Sequence, residues 1–146
     1  MKRLLIIAII LLAFLPLTLS ADTGVGIILG DPTGFSILLE DRLAFGVAWD
    51  VDDYLHIHGD VWLARGYVAD PLGWYFGLGG KVQFFDVNAA GDGPDDGVGV
   101  GLRLPVGLQW YFLPNWELFG EIVPGVGIVP DTVFDVDGGV GVRFHF

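Results

Sequence analysis

His56, His58 and Asp60 occupy alternate positions in the stretch Tyr54-Leu55-His56-Ile57-His58-Gly59-Asp60. In an extended chain this spacing puts two imidazoles and a carboxylate on one face, a donor set of the kind transition metals accept. They enter as metal candidates. The same parity gives them ordinary hydrogen-bonding work in a polar interior, so no cofactor is expected. A second set is ionic. Lys81, Arg103 and Arg143 fall on the same side of their strands as Asp60, Glu117, Glu121, Asp135 and Asp137. Charges facing a common interior must pair or meet trapped water, and removing one partner costs about 3–5 kcal/mol. The pairs expected first set Arg103 and Arg143 against Glu117 and Glu121.

Nucleophilic chemistry has little to work with. It needs a hydroxyl or thiol beside a base, yet after Ala21 the one Ser is Ser36 and there is no Cys. A carboxylate and histidine protease would have to be assembled from Asp50, Asp52, His56 and His58, positions already accounted for by a turn and a strand face. No enzyme is expected. The stretch 86–97 sets Asp86, Asn88, Gly91 and Asp92 at spacings close to a calcium loop, but Gly97 stands where the twelfth, acidic ligand belongs. Asp86, Asp92, Asp95 and Asp96 therefore make a solvated acidic loop and a candidate site for a divalent cation.

The elements that carry these residues begin after a segment of another kind. Met1-Lys2-Arg3 is basic, residues 4–15 are continuously apolar, Pro16 follows, and Leu19-Ser20-Ala21 supplies a small residue before Asp22. This is the layout of a cleaved signal peptide, and the run is shorter than the roughly 20 apolar residues of a spanning helix. The expected division is 1–21 signal peptide and 22–146 a single domain. Loss of Lys2 and Arg3 leaves five basic side chains against eighteen acidic ones, a surface that repels phosphate backbones and excludes nucleic acid as a partner.

Period-two alternation recurs along the rest of the chain and no apolar repeat has helical spacing. It predicts eight strands, at 24–30, 34–40, 43–51, 54–65, 73–85, 98–112, 116–129 and 133–146. Each has a wholly or largely apolar face. In the sixth, Val98, Val100, Leu102, Leu104, Val106, Leu108, Trp110 and Phe112 oppose Gly99, Gly101, Arg103, Pro105, Gly107, Gln109 and Tyr111. The connections 40–42, 66–71 and 113–115 are expected at one end, and the Asp31, Asp52-Asp53, 86–97 and Asp131 connections at the other.

Alternation alone does not say which face points outward. The polar faces are largely Gly with isolated charges, unlike a solvated surface and like a narrow lumen that must make room for large polar groups. Trp74, Trp110, Phe112, Trp116, Phe144 and Phe146 gather at the strand ends of one rim, as in an interfacial aromatic girdle. The longer strands hold the roughly 9–11 residues that a tilted membrane strand requires. The expected fold is all-β, an eight-stranded antiparallel up-and-down transmembrane barrel with its apolar faces toward lipid.

The eight-strand plan, the signal peptide and the terminal Phe146 resemble the small outer-membrane barrels of the OmpA/OmpX type. Closer likeness lies in Gly26-Ile27-Ile28-Leu29-Gly30-Asp31-Pro32-Thr33-Gly34, Leu104-Pro105-Val106-Gly107-Leu108, Glu117-Leu118-Phe119-Gly120-Glu121 and Pro130-Asp131-Thr132, together with the His56 strand. These stretches resemble a family of uncharacterised small bacterial surface proteins with this fold. The resemblance implies an outer-membrane location, lipid and lipopolysaccharide as surroundings, and delivery of the C-terminal strand to the barrel-assembly machinery. The resulting expectation is a monomer with a plugged, charge-paired lumen and a structural or surface-binding role. Two other readings compete: an outer-membrane enzyme acting on lipid or peptide, and a soluble periplasmic barrel that carries an apolar ligand.

Overall fold

The structure is a computed structural model that describes residues 22–31, 33–49, 54–85 and 97–146. The expected signal peptide, Asp50, Asp52 and the acidic positions Asp86, Asp92, Asp95 and Asp96 lie outside the described residues. Among the described residues nine strands follow in order: β1 Thr23–Asp31, β2 Thr33–Leu39, β3 Leu43–Trp49, β4 Tyr54–Ala69, β5 Leu72–Phe85, β6 Val98–Arg103, β7 Val106–Leu113, β8 Trp116–Val129 and β9 Val133–His145. Neighbours in sequence pair antiparallel, β6 and β7 excepted, and the sheet closes where β1 meets β9 through Gly24↔His145 to Asp31↔Gly138. Closure leaves every stave with two neighbours.

Nine strands make eight staves because β6 and β7 are two segments of one. Both lie between β5 and β8. The expected unbroken strand 98–112 is interrupted at Leu104 and Pro105, since proline has no N–H to give a ladder. Its carbonyl still serves, accepting from Gly77 N at 2.8 Å.

A second departure concerns the connection expected over 66–71. β4 runs on to Ala69 and pairs with β5 as far as Ala69↔Leu72, so that Asp70 and Pro71 alone make the turn. Gly66 and Pro71 read as a loop by composition. They sit in a hairpin because β7 continues alongside β5 to Leu72↔Trp110 and supplies the ladder that favours extended backbone. β1 is longer than expected, with nine residues.

Burial alternates with strand parity. Inside, Leu38, Ala44, Trp62 and Tyr75 form a small apolar cluster, the last two rings stacked at 3.9 Å. Outside, Ile27, Leu29, Leu63, Leu104, Leu108 and Val136 are all exposed, and Phe134 is 83% exposed. The interior holds Asp60, Lys81, Arg103, Glu117 and Arg143, each nearly inaccessible. This is the reverse of a water-soluble protein and of a barrel with an apolar interior.

The six girdle residues lie at the end where β1 begins and β9 finishes, called the terminal end below. Trp116 and Phe144 meet at 5.2 Å, and Phe144 and Phe146 at 5.3 Å. Trp110 and Phe112 pack at 6.2 Å, and Trp74 is exposed nearby on β5. The opposite end carries aromatic residues that the sequence reading did not single out. Phe35 packs on Trp49 at 5.6 Å, and Phe134 projects from the start of β9.

Candidate functional site

Among the described residues, three of the lumen's ion pairs form around two guanidinium groups. On β8 and β9, Glu117 and Arg143 are directly opposite in register, and Nη1 lies 2.8 Å from Oε1. The second oxygen of Glu117 lies 2.6 Å from His145 Nε2. Arg143 also donates from Nε to Ser36 Oγ at 3.0 Å and lies over the Phe119 ring at 3.6 Å. Arg103 sits between two carboxylates, with Asp60 Oδ1 3.0 Å from Nε and Glu121 Oε1 3.4 Å from Nη2. Toward the other end, Lys81 pairs with Asp135 and, at 3.1 Å, with Asp137. All eight residues of the ionic set thus lie in the lumen, and each is in an ion pair.

Glycine decides which groups can meet. Arg103 is level with Gly79 on β5, and Gly79 is level with Asp60 on β4. The pair spans the intervening stave over that glycine, where an added Cβ would come within 2 Å of the Asp60 carboxylate. Tyr75, Gly107 and Glu121 repeat the arrangement across β5, β7 and β8, and the Tyr75 hydroxyl donates to Glu121 Oε2 at 2.8 Å. Arg143, Gly26 and Ser36 repeat it across β9, β1 and β2. Side chains from alternate staves therefore meet across a window of backbone, as an ion pair between Arg103 and Asp60 and as hydrogen bonds at Tyr75–Glu121 and Arg143–Ser36.

The metal candidates do not converge. Among the described residues no three His, Cys, Asp or Glu side chains form a group able to hold a metal ion. The Asp60 carboxylate is turned to Arg103, whose Nη1 lies 3.4 Å from His56 Nε2. The His56 and His58 rings meet edge to face at 5.1 Å. A cation placed among them would stand beside a guanidinium.

Ser36 is buried, and its hydroxyl oxygen accepts the Arg143 bond. The roles of Ser36, Tyr75 and His145 in this network were missed in the sequence. Their inward parity was readable, but their partners depend on which glycine window each one crosses.

Over 86% of the chain and 96% of the other, the structure is similar to the N-terminal β-barrel domain of Pseudomonas aeruginosa OprF, with a TM-score of 0.58 and 19% identity. The fold is that of a small outer-membrane β-barrel. Neisserial surface protein A, at 18% identity and a TM-score of 0.46, matches over 86% of this chain and 94% of its own. No protein-family model matches the chain, and no curated protein matches it in sequence. The fold supports the OmpA/OmpX-type architecture expected above.

Proposed function

We propose that this barrel resides in an outer membrane, exported by its N-terminal segment, and serves there as a structural, surface-binding protein with a plugged lumen. The observation that carries the reading is the inverted distribution of side chains. A band of exposed Val, Leu, Ile and Phe encircles the staves, while Lys81, Arg103, Arg143 and their carboxylates are inside. Lipid is the solvent that such a band fits. Lipopolysaccharide then surrounds the end opposite the termini. A divalent cation held by Asp86, Asp92, Asp95 and Asp96 would be met at that end.

The lumen chemistry is structural in this reading. Ion pairs and glycine windows replace an apolar core, and Ser36, the one serine after Ala21, is committed to Arg143. The test is electrophoretic mobility of the outer-membrane fraction with and without boiling in detergent. The mature chain is expected in that fraction, with a mobility that changes on boiling. Recovery in the soluble periplasm with no mobility change contradicts the reading.

A further inference from the structure

We propose that the terminal end carries a docking site for an extended peptide with a basic side chain. The peptide adds as a strand to the free edge of β4 and lowers that side chain into the adjoining cavity. The proposal rests on the outer-membrane reading only for the compartment that supplies the peptide.

The edge is defined by where β3 begins. The β3–β4 ladder ends at Leu43↔Val61, and the last backbone bond across the junction runs from Trp62 N to Arg42 O at 2.8 Å. β4 continues for seven more residues, 63–69, paired with β5 alone among the described residues. Register irregularities flank residues 64–67 at Trp62/Ala64 and Tyr67/Ala69. Between them lies a short regular edge whose outward N–H and C=O groups have no strand partner among the described residues. An incoming extended segment completes such an edge through main-chain bonds.

Beside this edge opens a cavity of about 630 Å³, lined by Asp22, Arg65, Tyr67, Gln109, Tyr111 and His145 among others. Its cationic side is already matched. Arg65 is 3.3 Å from Asp41, and His145 Nε2 is held by Glu117. Among the described side chains, what remains is acceptors. Gln109 is 8% exposed, yet its Oε1 has no hydrogen-bond partner, and Asp22 makes no ion pair among the described residues. A lysine ammonium brings three donors and no acceptor, and Tyr67 and Tyr111 line the cavity that would receive it. An acidic side chain would meet Asp22 and leave the Gln109 carbonyl unfilled. Backbone pairing gives the partner its extended form, and the cavity selects its charge.

The test uses the folded chain 22–146 in lipid nanodiscs and a fluorescein-labelled eight-residue peptide of alternating Thr and Val with one central Lys. Saturable binding is expected. Methylating alternate backbone amides of the peptide, or replacing its Lys with norleucine, should each weaken binding at least tenfold. Gln109→Leu in the barrel should do the same. Should that variant fail to fold, Asp22→Asn, outside every strand, carries the prediction. Peptide should also slow amide exchange in residues 63–69 at least tenfold.

No saturable binding, equal binding of the methylated peptide, or unchanged exchange overturns the proposal. So does protection of 63–69 that rises with barrel concentration in the absence of peptide, which would give the edge to a second copy. A preparation whose mobility does not change on boiling contradicts the outer-membrane reading instead.

Discussion

Arg143 touches Ser36, Glu117 and the Phe119 face at once, and no monodentate cation reproduces that set. Glu117→Ala leaves the guanidinium buried without its carboxylate and should destabilise the barrel by about 3–5 kcal/mol in urea unfolding from lipid vesicles. Asp135→Asn should cost about 1 kcal/mol or less, because the Asp135 side chain is 35% exposed and Asp137 stays on Lys81. Equal losses would contradict the burial ranking. The glycine windows make a second prediction. A Cβ on Gly107 would lie 2.2 Å from the Tyr75 ring, whereas nothing approaches one on Gly120 closer than 3.8 Å. Gly107→Ala should cost about 1–3 kcal/mol, with a change in near-ultraviolet circular dichroism from the Trp62–Tyr75 stack, and Gly120→Ala should be close to neutral. Parity in the sequence placed the charges inside. It did not assign Asp60 to Arg103, because the two lie two staves apart and meet only over Gly79 on the stave between them.

Among the elements, the strands with strict alternation were the legible ones, since period two survives whatever the partner. β9 and the β6–β7 stave show it most clearly, with Val140, Val142 and Phe144 out and Gly141, Arg143 and His145 in. Prolines and turn residues misled where the ladder overrode them or was broken by them. Gly66 and Pro71 suggested a long connection, but β5 and β7 hold that hairpin extended. Pro105 was read inside one strand and splits it into two. Leu104, outward at this break, is 41% exposed. Leu104→Arg should cost about 2–4 kcal/mol in a bilayer if the residue faces the hydrocarbon. Folding titrations into phosphatidylcholine vesicles measure this, and a cost near zero would place the position in water.

For the molecule as a whole, one arrangement accounts for both its surface and its interior. A closed ring of eight staves pairs the backbone along all but the 63–69 edge of β4, as the hydrocarbon region of a membrane demands, and in the plugged lumen proposed above the ion pairs occupy the space that a channel would need. Planar bilayers containing the barrel should therefore show no steady conductance. Large stable channels would contradict the plugged lumen. The direction of the faces admits a more direct measurement, because the five tryptophans divide between them. Trp110 is 46% exposed on the outer face, while Trp62 is 2% exposed in the lumen. Variants retaining one or the other can be folded into vesicles of lipids brominated on their acyl chains, and their fluorescence compared with that in unbrominated lipid. The inverted barrel predicts strong quenching of Trp110 and little of Trp62; quenching of Trp62 with Trp110 unaffected would show that the apolar faces do not meet lipid.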